Sequence, residues 1–83
     1  MDATAQDLCA LVEYIVVPLV DDPDAVQVTY ADEEGRPTIE IRVNEADAGK
    51  VIGRQGRVIK SIRTLTRAAA SRKGAHVEVE LID

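Results

Sequence analysis

The first apolar positions of the chain recur every three to four residues. Leu8, Leu11, Val12, Ile15 and Leu19 make one stripe and predict a helix over residues 4–20. Thr4, followed three residues on by Asp7, has the form of a capping box, and Pro18 is placed to kink or end the helix. Asp21-Asp22-Pro23-Asp24 is a turn cluster. After it the period changes to two. Val26, Val28 and Tyr30 alternate with Gln27 and Thr29, the pattern of a half-buried strand. Residues 32–37, with Gly35, form a polar turn. The second strand has Ile39, Ile41 and Val43 on one face and Thr38, Glu40 and Arg42 on the other, so the two strands predict a hairpin.

The helical period then returns. Asn44 suits the N-cap of a short helix over residues 45–52, which Gly53-Arg54-Gln55-Gly56 interrupts. A longer helix follows over residues 57–72. Val58, Ile59, Ile62, Leu65 and Ala69 form its apolar side; Arg57, Lys60, Arg63 and Arg67 lie opposite, and Gly74 ends it. The last strand turns Ala75, Val77, Val79 and Leu81 inward and His76, Glu78 and Glu80 outward. The order α-β-β-α-α-β predicts an α+β two-layer sandwich, a three-stranded sheet covered by three helices. The helical crossover lets strands two and three be parallel neighbours with a right-handed connection. Val28, Ile41, Val79, Ile62 and Leu11 are expected to meet in one core. No repeat or linker divides the chain, so residues 1–83 are read as one domain.

Composition narrows the picture. Hydrophobic residues make up 46% of the chain, but the only aromatics are Tyr14 and Tyr30, so the core must be aliphatic. Cys9 stands alone, which excludes an internal disulfide. A small unstapled domain fits a reducing, cytoplasmic setting. The opening M-D-A-T-A-Q-D lacks a signal peptide's basic start, and the longest apolar stretch, Tyr14 to Val20, is far short of a membrane span.

The net charge of −5 argues against a nucleic-acid partner until its distribution is considered. Between Ala48 and His76 lie Lys50, Arg54, Arg57, Lys60, Arg63, Arg67, Arg72 and Lys73, with no Asp or Glu. All 15 acidic residues fall outside this segment, offset there only by Arg36 and Arg42. Local potential governs binding more than the sum does. A solvated helix face is the bland account of such a segment.

The G-x-x-G turn changes that account. Alone it is weak, since about one random chain in four of this length and glycine content would hold one. Here it joins a short helix ending in Val51-Ile52 to a basic amphipathic helix. Two glycines permit a sharp turn and let a phosphate backbone approach the main chain. The first amides and the dipole of the following helix favour anions. Lys50, Arg54, Arg57 and Lys60 add charge, and Ile52 and Val58 offer bases an apolar floor. The alternative is a plain helix–helix turn.

The run Gly49-Lys50-Val51-Ile52-Gly53-Arg54-Gln55-Gly56-Arg57 resembles the signature loop of KH domains, and the element order resembles their type II, bacterial arrangement. From L-V-E-Y-I-V through R-T-L-T-R-A-A-A to the last strand, about residues 8 to 82, the chain resembles the KhpA family of small bacterial single-KH proteins. The resemblance implies a clamp on about four nucleotides of single-stranded RNA, held between the loop and the sheet edge. Its loop residues would be Gly53, Arg54, Gln55 and Gly56, with Lys50, Ile52, Arg57 and Lys60 from the flanking helices. It also implies a homodimer, or a heterodimer with a larger KH protein of the KhpB (Jag) type. Roles as an RNA chaperone or post-transcriptional regulator, and in cell elongation and division, come with the resemblance. The overall acidity predicts weak binding at physiological salt, and the hairpin tip Asp32-Glu33-Glu34 is placed to repel a second phosphate contact.

Other chemistry finds little footing. Cys9 reads as a small core residue, and one Cys with one His cannot form a zinc set. Asp21, Asp22 and Asp24 lack the glycine and final glutamate of a calcium loop and read as a capped turn. No Walker or dinucleotide fingerprint occurs. No nucleophile or base lies near the loop, so an enzyme and a cofactor are not expected. An RRM is disfavoured because it stacks bases on sheet aromatics. The competing function is an adaptor that chiefly dimerises, through a helix surface at Ala68-Ala69-Ala70.

Overall fold

The computed structural model describes residues 3–82; Met1, Asp2 and Asp83, and with them the first residues of the signal-peptide reading, lie outside the described residues, as does the Glu33 side chain. Helix α1 (Ala3–Val16) is followed by a 3-10 turn, Val17–Leu19. Pro18 thus ends the α-helix at Val16, four residues short of the expected end, since its ring and missing N–H cannot continue the ladder. The helix already begins at Ala3, so Thr4 lies within it and does not serve as its N-cap. Asp7 instead pairs with Lys73 at 3.0 Å.

Strands β1 (Gln27–Glu33) and β2 (Arg36–Arg42) form the hairpin and run further into the expected polar turn. Only Glu34 and Gly35 connect them, both in the left-handed region at φ 55° and 75°. Two such residues match the strand twist of a tight hairpin, which a Glu in first position conceals from a sequence reading. Asn44 caps the next segment, its Oδ1 accepting from the Ala46 amide at 3.0 Å. A 3-10 turn (Glu45–Asp47) leads into α2 (Ala48–Ile52), the loop, α3 (Arg57–Arg72) and β3 (Glu78–Leu81). Helix α3 closes with the Ala75 amide on the Ala70 carbonyl at 2.8 Å.

The sheet order is β1-β2-β3, antiparallel between β1 and β2 and parallel between β2 and β3, as expected of an α+β sandwich with this element order. Ile39 and Ile41 from β2, Val77 just before β3 and Val79 within it, Leu8, Val12 and Val16 from α1, and Ile59, Ile62 and Ala70 from α3 build one core with Val51. Of the five residues expected at its centre, Ile41, Ile62 and Val79 are buried; Val28 and Leu11 are half-buried.

Two helix phases need correction. In α1 the inward line is Ala5, Leu8, Cys9, Val12 and Val16, so Leu11 stands at its margin and Leu19 lies beyond the α-helix. In α3 it is Ile59, Ile62, Thr66 and Ala70; Leu65 is 55% exposed. A step of four from Ile62 keeps the 3.6-residue phase, and a threonine meets it without an orphaned hydroxyl. Thr66 Oγ1 donates to the Ile62 carbonyl at 2.7 Å. The same phase sinks Ala70 into the core, leaving Ala68 as the only exposed residue of the Ala68-Ala69-Ala70 surface.

Candidate nucleic-acid interface

Helix α2 stops because the Gly53 amide closes on the Gly49 carbonyl at 2.9 Å and the chain then leaves helical space, with Gly53 at φ 77°, ψ 172°. No other residue fits there. A Cβ on Gly53 would stand 2.8 Å from Val58 Cβ and 2.9 Å from the Val58 backbone nitrogen. Arg54–Gly56 make one 3-10 turn, with Gln55 at φ 56° and Gly56 at φ 73°, and α3 begins at once. The Gly56 amide donates to the Gly53 carbonyl at 3.1 Å, and the Arg57 amide to the Arg54 carbonyl. The first amide of α3 was expected to be open to an anion; the tight turn before it takes it up instead.

The cations divide into two groups. Arg54, Arg57 and Lys60 are exposed and, among the described residues, have no carboxylate within ion-pair distance. Among the described residues, the Arg57 side chain reaches only that of Gln55, donating to Oε1 at 3.2 Å. This side-chain contact spans the loop from its last residue but one to the first residue of α3. Ile52, 41% exposed, stands beside Gly53, and half-buried Val58 packs beneath it. Six of the expected site residues, Ile52 through Arg57, are therefore contiguous at one corner, and Lys60 follows Arg57 on the next turn of α3.

Lys50 is placed differently. Its ammonium bonds Asp21 Oδ2 at 2.8 Å and Asp47 Oδ1 at 2.9 Å. Asp47 is 2% exposed and also accepts the amides of Asp21 and Asp22 at 3.2 and 3.1 Å. These contacts, the Lys50 hydrogen bond foremost, hold the Asp47 carboxyl below its usual range, and the bonds to Asp21 and then Asp47 raise Lys50. The network fastens α2 to the connection between α1 and β1. Asp22 does not cap the Pro23–Ala25 turn; its carboxylate accepts from Asn44 Nδ2 at 3.2 Å. Sequence reasoning missed Asp47, whose only local signal is its place three residues before Lys50.

Beyond the loop, an open trough of about 670 Å³ runs between α3 and β3. Arg63 Nε donates to the Val79 carbonyl at 3.1 Å, and Arg67 pairs with Glu78 at 2.9 Å. Arg67 holds the Glu78 carboxyl below its usual range. Lys60 stands on the trough's α3 wall, three residues after Arg57 at the start of that helix. Elsewhere Cys9 is buried in α1, and burial, with Glu13 nearby, pushes its thiol up, as suits a core residue. Among the described residues, no helix is long and apolar enough to cross a membrane.

Comparison with known proteins converges on one family. The model of the KhpA/KhpB KH domain matches residues 10–81. RNA-binding protein KhpA of Clostridium acetobutylicum is 47% identical over 72 residues, covering 87% of this chain and 96% of the relative. That of Bacillus subtilis is 40% identical over 80 residues, covering 96% and 99%. That of Borreliella burgdorferi is 41% identical over 73 residues, covering 88% and 89%.

Proposed function

The chain belongs to the KhpA/KhpB KH-domain family, and on that premise we propose that it binds RNA, clamping a short single strand at Gly53-Arg54-Gln55-Gly56. One observation carries the assignment of the site. Three cations that have no acidic partner among the described residues, Arg54, Arg57 and Lys60, surround a turn whose first glycine has no room for a side chain. Backbone and charge together suit a sugar-phosphate chain passing close to the main chain. Ile52 gives an apolar surface beside it for a base. Lys50 contributes chiefly by fixing α2 through Asp47 and Asp21, and Gln55 by holding Arg57 over the loop. The chain acts as one KH domain in the cytoplasm, as a chaperone or post-transcriptional regulator, with no reaction of its own. A titration with short single-stranded RNA tests this; a folded chain with no measurable affinity at low salt would reject it.

Pairing with a second KH protein, its own copy or one of the KhpB type, is the accompanying reading. Leu65 and Tyr14 favour it, since they are 55% and 81% exposed on the outer faces of α3 and α1. Pairing also raises the effective affinity of a domain with few phosphate contacts. Sedimentation at tens of micromolar, alone and with a KhpB-type protein, tests it; a pure monomer in both cases rejects it.

A further inference from the structure

The Gly53–Gly56 loop is only as well placed as the short helix that carries it. Helix α2 has five residues, of which Val51 alone is buried. So short a segment has too few internal hydrogen bonds to fix its own axis, and one buried side chain is a pivot more than a brace. The tolerance at the loop is small, because Gly53 lies so close to Val58 that no Cβ fits between them. A tilt of α2 therefore either presses Gly53 onto Val58 or opens the turn. The brace is Asp47, the last residue of the 3-10 turn before α2 and 2% exposed. Its Oδ1 accepts the Asp21 amide at 3.2 Å and the Lys50 ammonium at 2.9 Å, and its Oδ2 accepts the Asp22 amide at 3.1 Å. One carboxylate thus ties α2, through Lys50, to backbone 25 and 26 residues earlier in the chain.

We propose that Asp47 is a positioning residue of the RNA clamp: it touches no nucleotide, and its carboxylate holds α2 so that the loop keeps the orientation in which Arg54 and Arg57 meet one strand. The proposal rests on the RNA reading above. A clamp that works by close approach to the main chain tolerates little displacement, and it loosens when its supporting shell slackens. Both oxygens of Asp47 face donors, so asparagine cannot replace it: whichever way its amide is turned, the NH2 group meets an N–H. The exposed Asp21 carboxylate completes the latch, taking the Lys50 ammonium at 2.8 Å. The sign of the effect separates positioning from charge. Removing a carboxylate from a body of net charge −5 would, by charge alone, strengthen its binding to a polyanion. Loss of positioning weakens it.

The test uses the full chain and an oligouridylate of about ten nucleotides, titrated from about 50 to about 200 mM salt at a temperature where melting curves show each variant folded. Asp47→Asn should weaken binding about 10-fold and leave the slope of log affinity against log salt unchanged, since no phosphate contact is removed. Hydrogen exchange of the Gly53 amide, which closes on the Gly49 carbonyl, should quicken relative to the amides of β2; a role in overall stability alone would quicken both alike. Asp21→Asn, which keeps the Asp21 amide, should weaken binding about 3-fold. Asp24→Asn, an equal change of charge at an exposed carboxylate of the neighbouring turn, should bind as wild type or slightly tighter. A folded Asp47→Asn chain that binds as tightly as Asp24→Asn would overturn the proposal. So would a loss of affinity with a lower slope, the mark of a missing phosphate contact. If Asp47→Asn does not fold, Asp21→Asn binding as tightly as Asp24→Asn overturns it. Arg54→Asp with Gln55→Asp failing to bind would leave the loop reading standing in each of these cases; that variant binding like wild type would overturn both.

Discussion

Two turns of this molecule share nearly the same pair of positive φ angles. At the hairpin, Glu34 and Gly35 have φ 55° and 75°; in the loop, Gln55 and Gly56 have φ 56° and 73°. Both place a non-glycine residue in the left-handed region just before a glycine. One joins two strands among Asp32, Glu34 and the rest of the acidic tip, and the other joins two helices among Arg54, Arg57 and Lys60. A left-handed pair therefore does not by itself mark the site. Two additions do: cations that have no carboxylate partner among the described residues, and a second glycine in the loop, Gly53, whose missing side chain is required by Val58. The anchoring differs too, since the hairpin turn hangs on a strand ladder and the loop on an α2 fastened through Asp47.

The largest expected effect separates the turns by charge. Replacing Arg54 and Gln55 together with Asp should weaken RNA binding about 100-fold, roughly 1–2 kcal/mol for each position. Its melting temperature should stay near wild type, because neither side chain enters the core, Asp tolerates the left-handed conformation, and it suits a helix N-terminus. Reversing Glu34 to Lys should leave affinity within about 2-fold, since its turn is not the clamp. RNA titration beside melting curves reads both, and comparable losses at the two turns would erase the distinction.

Next comes a comparison of glycines by denaturant unfolding. Gly53→Ala combines a left-handed φ with contact against the Val58 backbone and should cost about 3 kcal/mol. Gly56→Ala and Gly35→Ala meet nothing within 4 Å and should each cost only the conformational term, about 1–2 kcal/mol. Equal losses at Gly53 and Gly56 would show that Val58 yields and that the close approach is unimportant.

The smallest effect tests the anchor. The folded-state pKa of Asp47 is depressed, so its contribution is fully present above the ordinary carboxylate range and is lost as pH falls through the lowered value. Asp47→Asn should therefore melt below wild type at neutral pH, and the gap should close in acid. A gap that stays constant from about pH 7 to about pH 3 would mean the carboxylate's charge is not what holds α2.

The element order, the parallel pairing of β2 with β3 and the N-cap at Asn44 were legible because periodicity and capping are local. The contiguous G-R-Q-G turn was legible for the same reason. What escaped depended on contacts remote in sequence or on residues out of character. Thr66 reads as polar until its hydroxyl is seen to close on Ile62, and this misplaced Leu65. Lys50 reads as one more cation until Asp21, 29 residues away, is folded against it. Arg36 lies outside the basic segment and joins the trough only because β3 pairs beside β2.

The split between paired and unpaired cations has a consequence for how the molecule meets a polyanion. Arg54, Arg57 and Lys60 project at one corner, while Glu40 and Glu80 occupy the outer face of the sheet. In the field of an RNA strand such a body experiences a torque and turns corner-first before touching it. Its net charge of −5 then discourages lying flat along the strand or coating it in rows. That orientation bias fades as salt shortens the reach of the field to about 8 Å.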